Sequence, residues 1–291
     1  MNNNLKNNII IGAAQLGTNY GIANSNKQFK LEERVNFLDF AYKNGFISFD
    51  TAYNYKNSHK ILGQWISIKN RKPILYSKIP KIKKIDIKVL TDIFSKMLSE
   101  LNVTNLDGLF LHNPKDWENI KMQIFINKII KKKLIKSFGL SIYEENQIYL
   151  NENIKIIQAP GNIFNQKVIN SERLHNFSNN GGEVHIRSIF IQGLIFMNPN
   201  NIPTILEELK KPIFYIQNYA KEINIPIANL LLLAVNKIFP KAKLVVGLDD
   251  LEQITTLLEI YKNKISDSDL TEIINFGFKN FNKLWDTRSW N

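Results

Sequence analysis

Four side chains able to carry acid–base chemistry follow three apolar stretches of the sequence. Asp50 lies at the end of the first stretch, and Tyr55 comes five residues later. Lys78 lies at the end of the second stretch and His112 at the end of the third. A carboxylate, a phenol, an ammonium and an imidazole are groups that donate and accept protons in active sites. If the stretches are neighbouring parallel strands, their ends aim all four groups at one site.

The combination carries more weight than any single residue. Taken singly, Asp50 is explained as a turn residue, Lys78 as a solvent-facing side chain and His112 as a structural residue. An ammonium and a carboxylate at one strand mouth are costly to desolvate unless they pair, so we expect an Asp50–Lys78 ion pair. A cation beside a phenol lowers its pKa, which would make Tyr55 a better proton donor to a developing alkoxide. His112 would orient or polarise a carbonyl oxygen.

Two other chemistries fit the sequence less well. A glycosidase needs two carboxylates flanking the scissile bond, and the other stretches do not end in carboxylates at the required places. A metal hydrolase needs clustered ligands, yet the histidines are isolated, with no H-x-H or H-E-x-x-H motif, so we expect no metal site. The chain has no Cys, which excludes disulfides and thiolate chemistry and is compatible with a reducing compartment.

The elements that must position these residues alternate along the chain. Eight short β-rich stretches are apolar, mostly on consecutive positions, as in strands buried on both faces. They are Ile9–Ala14, Phe46–Ala52, Ile74–Ile79, Gly108–His112, Ile135–Ile142, Ile154–Pro160, Val184–Phe190 and Leu244–Leu248. Amphipathic helical patterns lie between them and after the last: Leu31–Asn44, Ser58–Lys69, Leu90–Leu101, Trp117–Lys132, Glu144–Leu150, Ser171–Asn179 and Asp249–Tyr261.

Eight strand–helix units predict the α/β class and a closed (β/α)8 TIM barrel. An open doubly wound sheet is the alternative, although no G-x-G-x-x-G motif follows the first stretch. We expect two extra helices before strand eight, Ile213–Ile223 and Ala228–Phe239, and a C-terminal helix, Ser266–Lys279. The irregular segment Gln192–Lys211 would form the loop after strand seven, on the ligand-binding face. Residues 1–291 are predicted to form a single barrel domain.

Composition and charge narrow the class of protein. The 291 residues are 44% apolar and 11% aromatic, which is enough for a large core. The formal net charge is +12, but the basic residues are spread along the chain, which favours a solvated surface over a nucleic-acid site. No apolar stretch approaches the ~18 residues that span a bilayer. We expect a cytoplasmic protein with no membrane or nucleic-acid partner, and its oligomeric state is open.

A set of motifs resembles a known family over almost the whole chain. The motifs are GAAQLG (12–17), DTAYNY (50–55), SK (77–78), LHNP (111–114), GLS (139–141), Gln158, RS (187–188), QGL (192–194) and VVG (245–247). In order and spacing they resemble the aldo-keto reductases. The resemblance implies that Asp50, Tyr55, Lys78 and His112 form a catalytic tetrad. It also implies hydride transfer from a nicotinamide to a carbonyl carbon, with Tyr55 as the proton source.

The resemblance further implies a nicotinamide dinucleotide cofactor and its contacts. Ser141 and Gln158 match the residues that hold the nicotinamide carboxamide, although Ile142 replaces the Asn that commonly follows that serine. Arg187 occupies the position from which an aromatic ring often stacks on the nicotinamide. The remaining cofactor-binding candidates are Ser188, Gln192, Gly193 and Leu194 near the pyrophosphate, and Gly247, Asp249 and Gln253 near the adenosine.

The residues of the turn 247–253 indicate which of the two dinucleotides, NADP(H) or NAD(H), the chain would prefer. The family usually prefers NADPH and holds its 2′-phosphate with basic residues around this turn, which here contains none. Asp249, followed three residues later by Glu252, is a good N-cap pattern for the next helix. A carboxylate would repel a 2′-phosphate but can accept hydrogen bonds from a free ribose. We favour NADP(H) on family grounds, while the turn itself argues for NAD(H) or dual use.

The residues around the mouth and at the C-terminus set the substrate expectation. Tyr20, Asn113 and Trp117 are the candidate substrate contacts. The ending DTRSW (286–290) resembles the D-x-R-x-W tail of bacterial family members linked to surface-sugar metabolism. The alternative, which we favour, is that an Arg between two Trp residues holds the tail against the barrel. The expected function is NAD(P)H-dependent reduction of an aldehyde, ketone or keto-sugar carbonyl to an alcohol. The alternative is a non-catalytic, nucleotide-binding regulatory subunit with the same fold, which the altered sequence after Tyr55 leaves open.

Overall fold

The described residues of the computed structural model, 6–18, 21–22, 30–248, 250–260 and 265–290, form a closed barrel of eight parallel strands. The strands are β1 Ile9–Gly12, β2 Ser48–Asp50, β3 Ile74–Ile79, β4 Leu106–Leu111, β5 Ile135–Ser141, β6 Ile154–Pro160, β7 Glu183–Arg187 and β8 Lys243–Gly247. Each strand pairs with the next, and β8 closes the ring on β1, with Ile9 opposite Leu244. The predicted (β/α)8 TIM barrel is therefore confirmed.

Helices surround the barrel, as the amphipathic patterns predict. They are α1 Ala14–Gly17, α2 Leu31–Lys43, α3 Ser58–Lys69, α4 Ile87–Leu101, α5 Ile120–Lys131, α6 Glu172–Asn179, α7 Lys210–Glu222, α8 Ile227–Ile238, α9 Leu251–Leu258 and α10 Asp267–Lys279. Helices α7 and α8 are the predicted extra helices before β8, and α10 is the predicted C-terminal helix. In the described part of the chain, no helix combines the length and apolar character needed to cross a membrane.

The loops contain several short 3₁₀-helices. Three of them, Ile191–Phe196, Pro199–Asn201 and Thr204–Leu209, occupy the segment predicted as the irregular loop after β7. The helix predicted over Glu144–Leu150 is wrong, since only Glu145–Gln147 turns there, as a 3₁₀-helix. The Gln147 Oε1 atom accepts hydrogen bonds from the backbone N of Tyr143 at 2.7 Å and of Glu144 at 3.2 Å. These side-chain bonds close a single turn and compete with a longer helix.

Alternate residues of each strand point into the barrel. There they form an apolar layer between two polar layers. The apolar layer consists of Ile10, Tyr76, Phe110 and Ile156. Toward the N-terminal ends of the strands, Lys243 pairs with Glu183 at 2.8 Å. Toward the carboxyl ends lie Asp50, Lys78 and Gln158, all of them buried. The strands therefore bring the sequence-predicted polar residues to one mouth of the barrel.

Candidate active site

A buried ion pair forms the base of the mouth. The Lys78 ammonium on β3 donates to the carboxylate of Asp50 at the end of β2, and also to the Thr51 carbonyl oxygen at 3.1 Å. The other Asp50 oxygen accepts from the Gln158 amide at 2.9 Å. Asp50 is 3% exposed and Lys78 1%. Burial lowers the pKa of Lys78, and the Asp50 carboxylate opposes that shift. The expected Asp50–Lys78 ion pair is present, with both carboxylate oxygens occupied by donors.

Tyr55 is held over this pair by the loop that follows β2. The Tyr53 amide donates to the Lys78 carbonyl at 3.1 Å, which fixes the loop along β3. The Ser58 amide donates to the Tyr55 carbonyl at 2.9 Å, and the Ser58 hydroxyl donates to the Ala13 carbonyl at 2.9 Å, beyond the end of β1. The Lys78 Nζ atom lies 5.5 Å from the centroid of the Tyr55 ring. Two strand ends therefore position the phenol.

The pKa of Tyr55 moves in the direction opposite to the sequence expectation. Burial raises it, the Asp50 carboxylate raises it further, and the Arg187 charge opposes them. The expectation of a lowered pKa is wrong for this arrangement, because burial and the Asp50 carboxylate together outweigh the lowering by positive charge. Tyr55 is therefore a neutral phenol at physiological pH, which is the form able to donate a proton.

His112 stands beside the phenol as a neutral imidazole. It follows β4, where its backbone N donates to the Ile79 carbonyl at 3.0 Å. Its ring meets the Tyr55 ring edge-on, with centroids 6.3 Å apart. Burial is the largest influence on the pKa of His112 and the Lys78 charge the second, and together they lower it to about 4. The ring therefore carries no charge at neutral pH. Its Nδ1 atom is buried and has no hydrogen-bond partner within the described ranges.

A cavity of about 540 Å³ opens at this mouth, in the size range of small-molecule sites. The sequence candidates that line it are Asp50, Tyr55, Arg187, Ser188, Gln192, Gly193, Gly247 and Gln253. Seven other described candidates do not line it: Lys78, His112, Ser141, Gln158, Leu194, Asn113 and Trp117. Ser141 and Gln158 are opposite each other on β5 and β6, and both are buried. The cavity wall is thus formed mainly by the end of β1, the loop after β7 and the turn after β8.

The loop after β7 has an unusual backbone where it lines the cavity. Ser188, Ile191, Gln192 and Gly193 have φ values of 65°, 51°, 55° and 85°. A positive φ is uncommon for any residue with a side chain and is costly for a β-branched one such as Ile191. The loop is tied to the region after β1, because the Ile22 amide donates to the Gln192 carbonyl at 3.0 Å. Strained backbone of this kind concentrates at ligand-binding segments.

The three substrate candidates have different outcomes. Trp117 is 4% exposed and packs on Phe138, with ring centroids 5.0 Å apart, so it belongs to the core rather than to the cavity wall. Trp117 does not line the cavity, and its substrate role stays a prediction that the packing of its indole does not support. The Asn113 amide donates to the Asp116 carboxylate at 2.5 Å, within the turn after β4. Tyr20 lies outside the described residues.

The turn after β8 differs from the sequence expectation in its cap. Helix α9 begins at Leu251, and its N-cap is Asp250, whose carboxylate accepts from the Gln253 backbone N at 2.8 Å and from the Gln253 side-chain amide at 3.2 Å. The prediction of Asp249 as the N-cap is wrong by one residue, and Asp249 itself lies outside the described residues. A carboxylate nevertheless stands at this helix N-terminus, where the helix dipole favours negative charge.

Two residues of the site were missed as individual candidates. Gln15 lines the cavity, and its Oε1 atom is buried without a hydrogen-bond partner in the described part of the chain. Gly17 lies against the Tyr55 loop, where a Cβ atom would fall 1.9 Å from the Tyr55 carbonyl oxygen and 2.6 Å from the Ser58 amide nitrogen. Both belong to the GAAQLG motif, which was the available sequence signal. The motif contributed only to the family resemblance, since it does not reveal which loop it contacts.

Gly17→Ala is expected to displace the Tyr55 loop and to destabilise the protein by about 1–3 kcal/mol. The added methyl group has no space, because its nearest neighbours are backbone atoms fixed by hydrogen bonds to the barrel. Urea unfolding of both proteins measures the loss. Gly12→Ala is the matched control, because its Cβ would meet no atom closer than 3.4 Å. Equal losses in the two variants would contradict the close approach as the cause.

The fold and the site together define the class of protein: a (β/α)8 barrel that carries a set of acid–base groups at the carboxyl ends of its strands. The sequence profile of the Aldo/keto reductase family matches residues 8–276. The chain therefore belongs to the aldo/keto reductase family, a family of oxidoreductases. No curated protein sequence matches the chain at a significant level.

Three solved structures with this fold share 16–18% sequence identity with the chain. One is the thermostable aldo-keto reductase Tm1743 in complex with the inhibitor epalrestat, at 18% identity and a TM-score of 0.70, covering 92% of this chain and 94% of that one. An aldo/keto reductase from Klebsiella pneumoniae, in complex with NADP and acetate, has 16% identity and a TM-score of 0.69, covering 94% and 92%. A Klebsiella pneumoniae structure with NADPH matches with the same values. At these identities the likeness describes the fold.

Proposed function

We propose that this chain is an NAD(P)H-dependent carbonyl reductase that converts an aldehyde, ketone or keto-sugar to an alcohol. The observation that carries the proposal is a neutral Tyr55 facing the cavity beside the buried Asp50–Lys78 pair.

Every candidate group of the described chain lies on one barrel, which supports our proposal that residues 1–291 act as one domain. The lack of Cys suits the cytoplasm as the proposed location.

The proposed chemistry assigns one task to each of the four groups. Tyr55 donates its proton to the carbonyl oxygen as the carbon is reduced. The Lys78 ammonium favours the negative charge that develops on the phenol oxygen, and Asp50 keeps the ammonium in place. Neutral His112 can donate a hydrogen bond to the same carbonyl oxygen without adding a charge. A bound nicotinamide would supply the hydride.

Several features of the site suit a nicotinamide dinucleotide. The Oε1 atoms of Gln158 and Gln15 are buried and lack partners among the described residues, so they can accept hydrogen bonds from a ligand amide. A Cβ on Gly247 would lie 2.3 Å from the Gln15 amide nitrogen, so the site depends on the absence of a side chain there. We propose that Ser141 and Gln158 hold the carboxamide, that the loop 188–193 binds the pyrophosphate, and that the turn 247–253 approaches the adenosine.

NADP(H) is our proposed first choice of cofactor. The two Klebsiella pneumoniae structures contain NADP and NADPH, which supports this choice. Against it, Asp250 keeps a carboxylate at the turn after β8, and the turn has no basic residue to balance a 2′-phosphate. NAD(H) therefore remains the alternative.

Fluorescence titration with NADPH and with NADH, followed by turnover of aldehydes and keto-sugars, tests the proposal. We expect tight binding of one dinucleotide and reduction of at least one carbonyl compound. Binding without turnover on any carbonyl would favour the regulatory-subunit alternative. Failure to bind either dinucleotide would contradict the proposed function in both forms.

A further inference from the structure

Arg187 brings to the cavity a positive charge that forms no ion pair with a carboxylate of the described chain; the Asp286 carboxylate, whose pKa its charge helps to lower, is paired directly with Arg288. It is the last residue of β7 and lines the cavity with Asp50 and Tyr55. Its guanidinium donates to the Ile142 carbonyl at 3.1 Å and to the Ser188 hydroxyl at 3.3 Å, both neutral oxygens. No further hydrogen bond or ion pair joins it to a described residue. A guanidinium has five N–H donors, so most of its capacity is available to a ligand.

The Arg187 charge acts on the reacting groups. Burial is the main influence on the pKa of Tyr55 and on that of His112, and the Arg187 charge lowers both. The Asp50 charge is matched by Lys78 in direct contact, and neither Tyr55 nor His112 is charged at neutral pH. Arg187 therefore leaves the four-group site and its cavity with a net positive charge. An anion that bound to Arg187 would lie close to the oxygen that Tyr55 is proposed to protonate.

We propose that Arg187 selects a substrate bearing a carboxylate or phosphate group near its carbonyl, an inference that rests on the proposed reductase function. The planar guanidinium fork matches both anions and can bond to two of their oxygens at once. Stacking fixes its orientation, because its Cζ atom lies 4.4 Å from the centroid of the Tyr143 ring. Arg187 is thus a specificity residue for the reaction.

Arg288 provides an internal control on the same ring. Its Cζ atom lies 4.2 Å from the centroid of Tyr143, so it is close to Arg187 in space. Its charge, however, is paired with Asp286 in direct contact and with Glu144 at 3.2 Å. Arg288 does not line the cavity, so removing it deletes a positive charge near Arg187 without deleting a donor set that is open to a ligand there. If the preference for an anionic substrate came from general surface charge, removing Arg288 would weaken it as much as removing Arg187.

Two matched substrate pairs test the inference in the complete protein with its cofactor. Succinic semialdehyde is compared with butanal, and glyceraldehyde 3-phosphate with glyceraldehyde. We expect kcat/KM to favour the anionic member of at least one pair by about 10-fold or more. Arg187→Met should reduce that ratio by about 10- to 100-fold, the range of a charge-assisted hydrogen bond, while Arg187→Lys keeps part of it. Arg288→Met should change it less than about twofold. The pair that responds distinguishes carboxylate from phosphate.

Other outcomes separate this inference from the proposed function. A ratio near one in the unaltered protein, or an equal ratio in Arg187→Met, would overturn the inference while the reductase function stands. Cofactor affinity, measured separately, shows whether Arg187 acts through the dinucleotide instead, and a loss confined to that affinity also overturns it. If no carbonyl is reduced, calorimetric binding of succinate and inorganic phosphate decides: binding that Arg187→Met abolishes supports the anion site, and no binding overturns it.

Discussion

Tyr55→Phe is expected to lower kcat by about 10²- to 10⁴-fold, the usual contribution of a positioned general acid. The change removes only the hydroxyl group, which makes no hydrogen bond to the described residues, so the ring and its loop should stay in place. Cofactor binding should change little, because the phenyl ring keeps the same surface toward the cavity. Steady-state turnover and fluorescence titration of the same preparations measure the two effects.

Tyr53→Phe is the matched control for this variant. Tyr53 lies in the same loop, and its ring interacts with the Lys96 ammonium at 5.4 Å and with the His59 ring at 6.5 Å. Both contacts survive in phenylalanine, and Tyr53 does not line the cavity. Turnover of Tyr53→Phe should therefore stay within about twofold of the unaltered protein. A similar loss in both variants would show that the loop, rather than the Tyr55 proton, limits the reaction.

Lys78→Met is expected to abolish turnover and to lower the free energy of unfolding by about 3–5 kcal/mol, because it leaves the Asp50 carboxylate buried without its cation. Urea unfolding at neutral pH measures the loss. Lys136→Met is a control on β5, where Lys136 is 69% exposed and pairs with Asp107 at 2.6 Å. An exposed pair contributes less than about 1 kcal/mol, so this variant should remain stable.

The double variant Asp50→Asn/Lys78→Met separates the structural effect from the chemical one. With both charges removed, the buried neutral side chains should restore most of the stability lost in Lys78→Met. Turnover should stay lost, because no cation remains to favour negative charge on the Tyr55 oxygen. Recovery of turnover together with stability would contradict the role proposed for Lys78. Failure to recover stability would instead contradict the ion pair as the source of the loss.

Some features of the site depend on contacts that local sequence patterns do not encode. Gly17 contacts the Tyr55 loop, and Arg187 contacts the Tyr143 ring. In both cases the two partners are about 40 residues apart in the sequence, so a local pattern does not reveal the contact. Trp117 has a side chain of the type that contacts substrates, but its ring is packed against Phe138. The cap of α9 moved from Asp249 to Asp250, because both residues suit an N-cap and only the helix register chooses between them.

The sequence by itself determined the barrel and the four acid–base residues at its mouth. Apolar stretches buried on both faces, alternating with amphipathic helices, are a local pattern that admits few folds, and strand ends of one barrel converge on one mouth. Only the tertiary structure decided the direction of the Tyr55 pKa, since it depends on how deeply the phenol is buried and on the Asp50 carboxylate near it. It also decided that Arg187 faces the cavity without an ion-pair partner among the described residues, because ion pairing depends on distances in three dimensions.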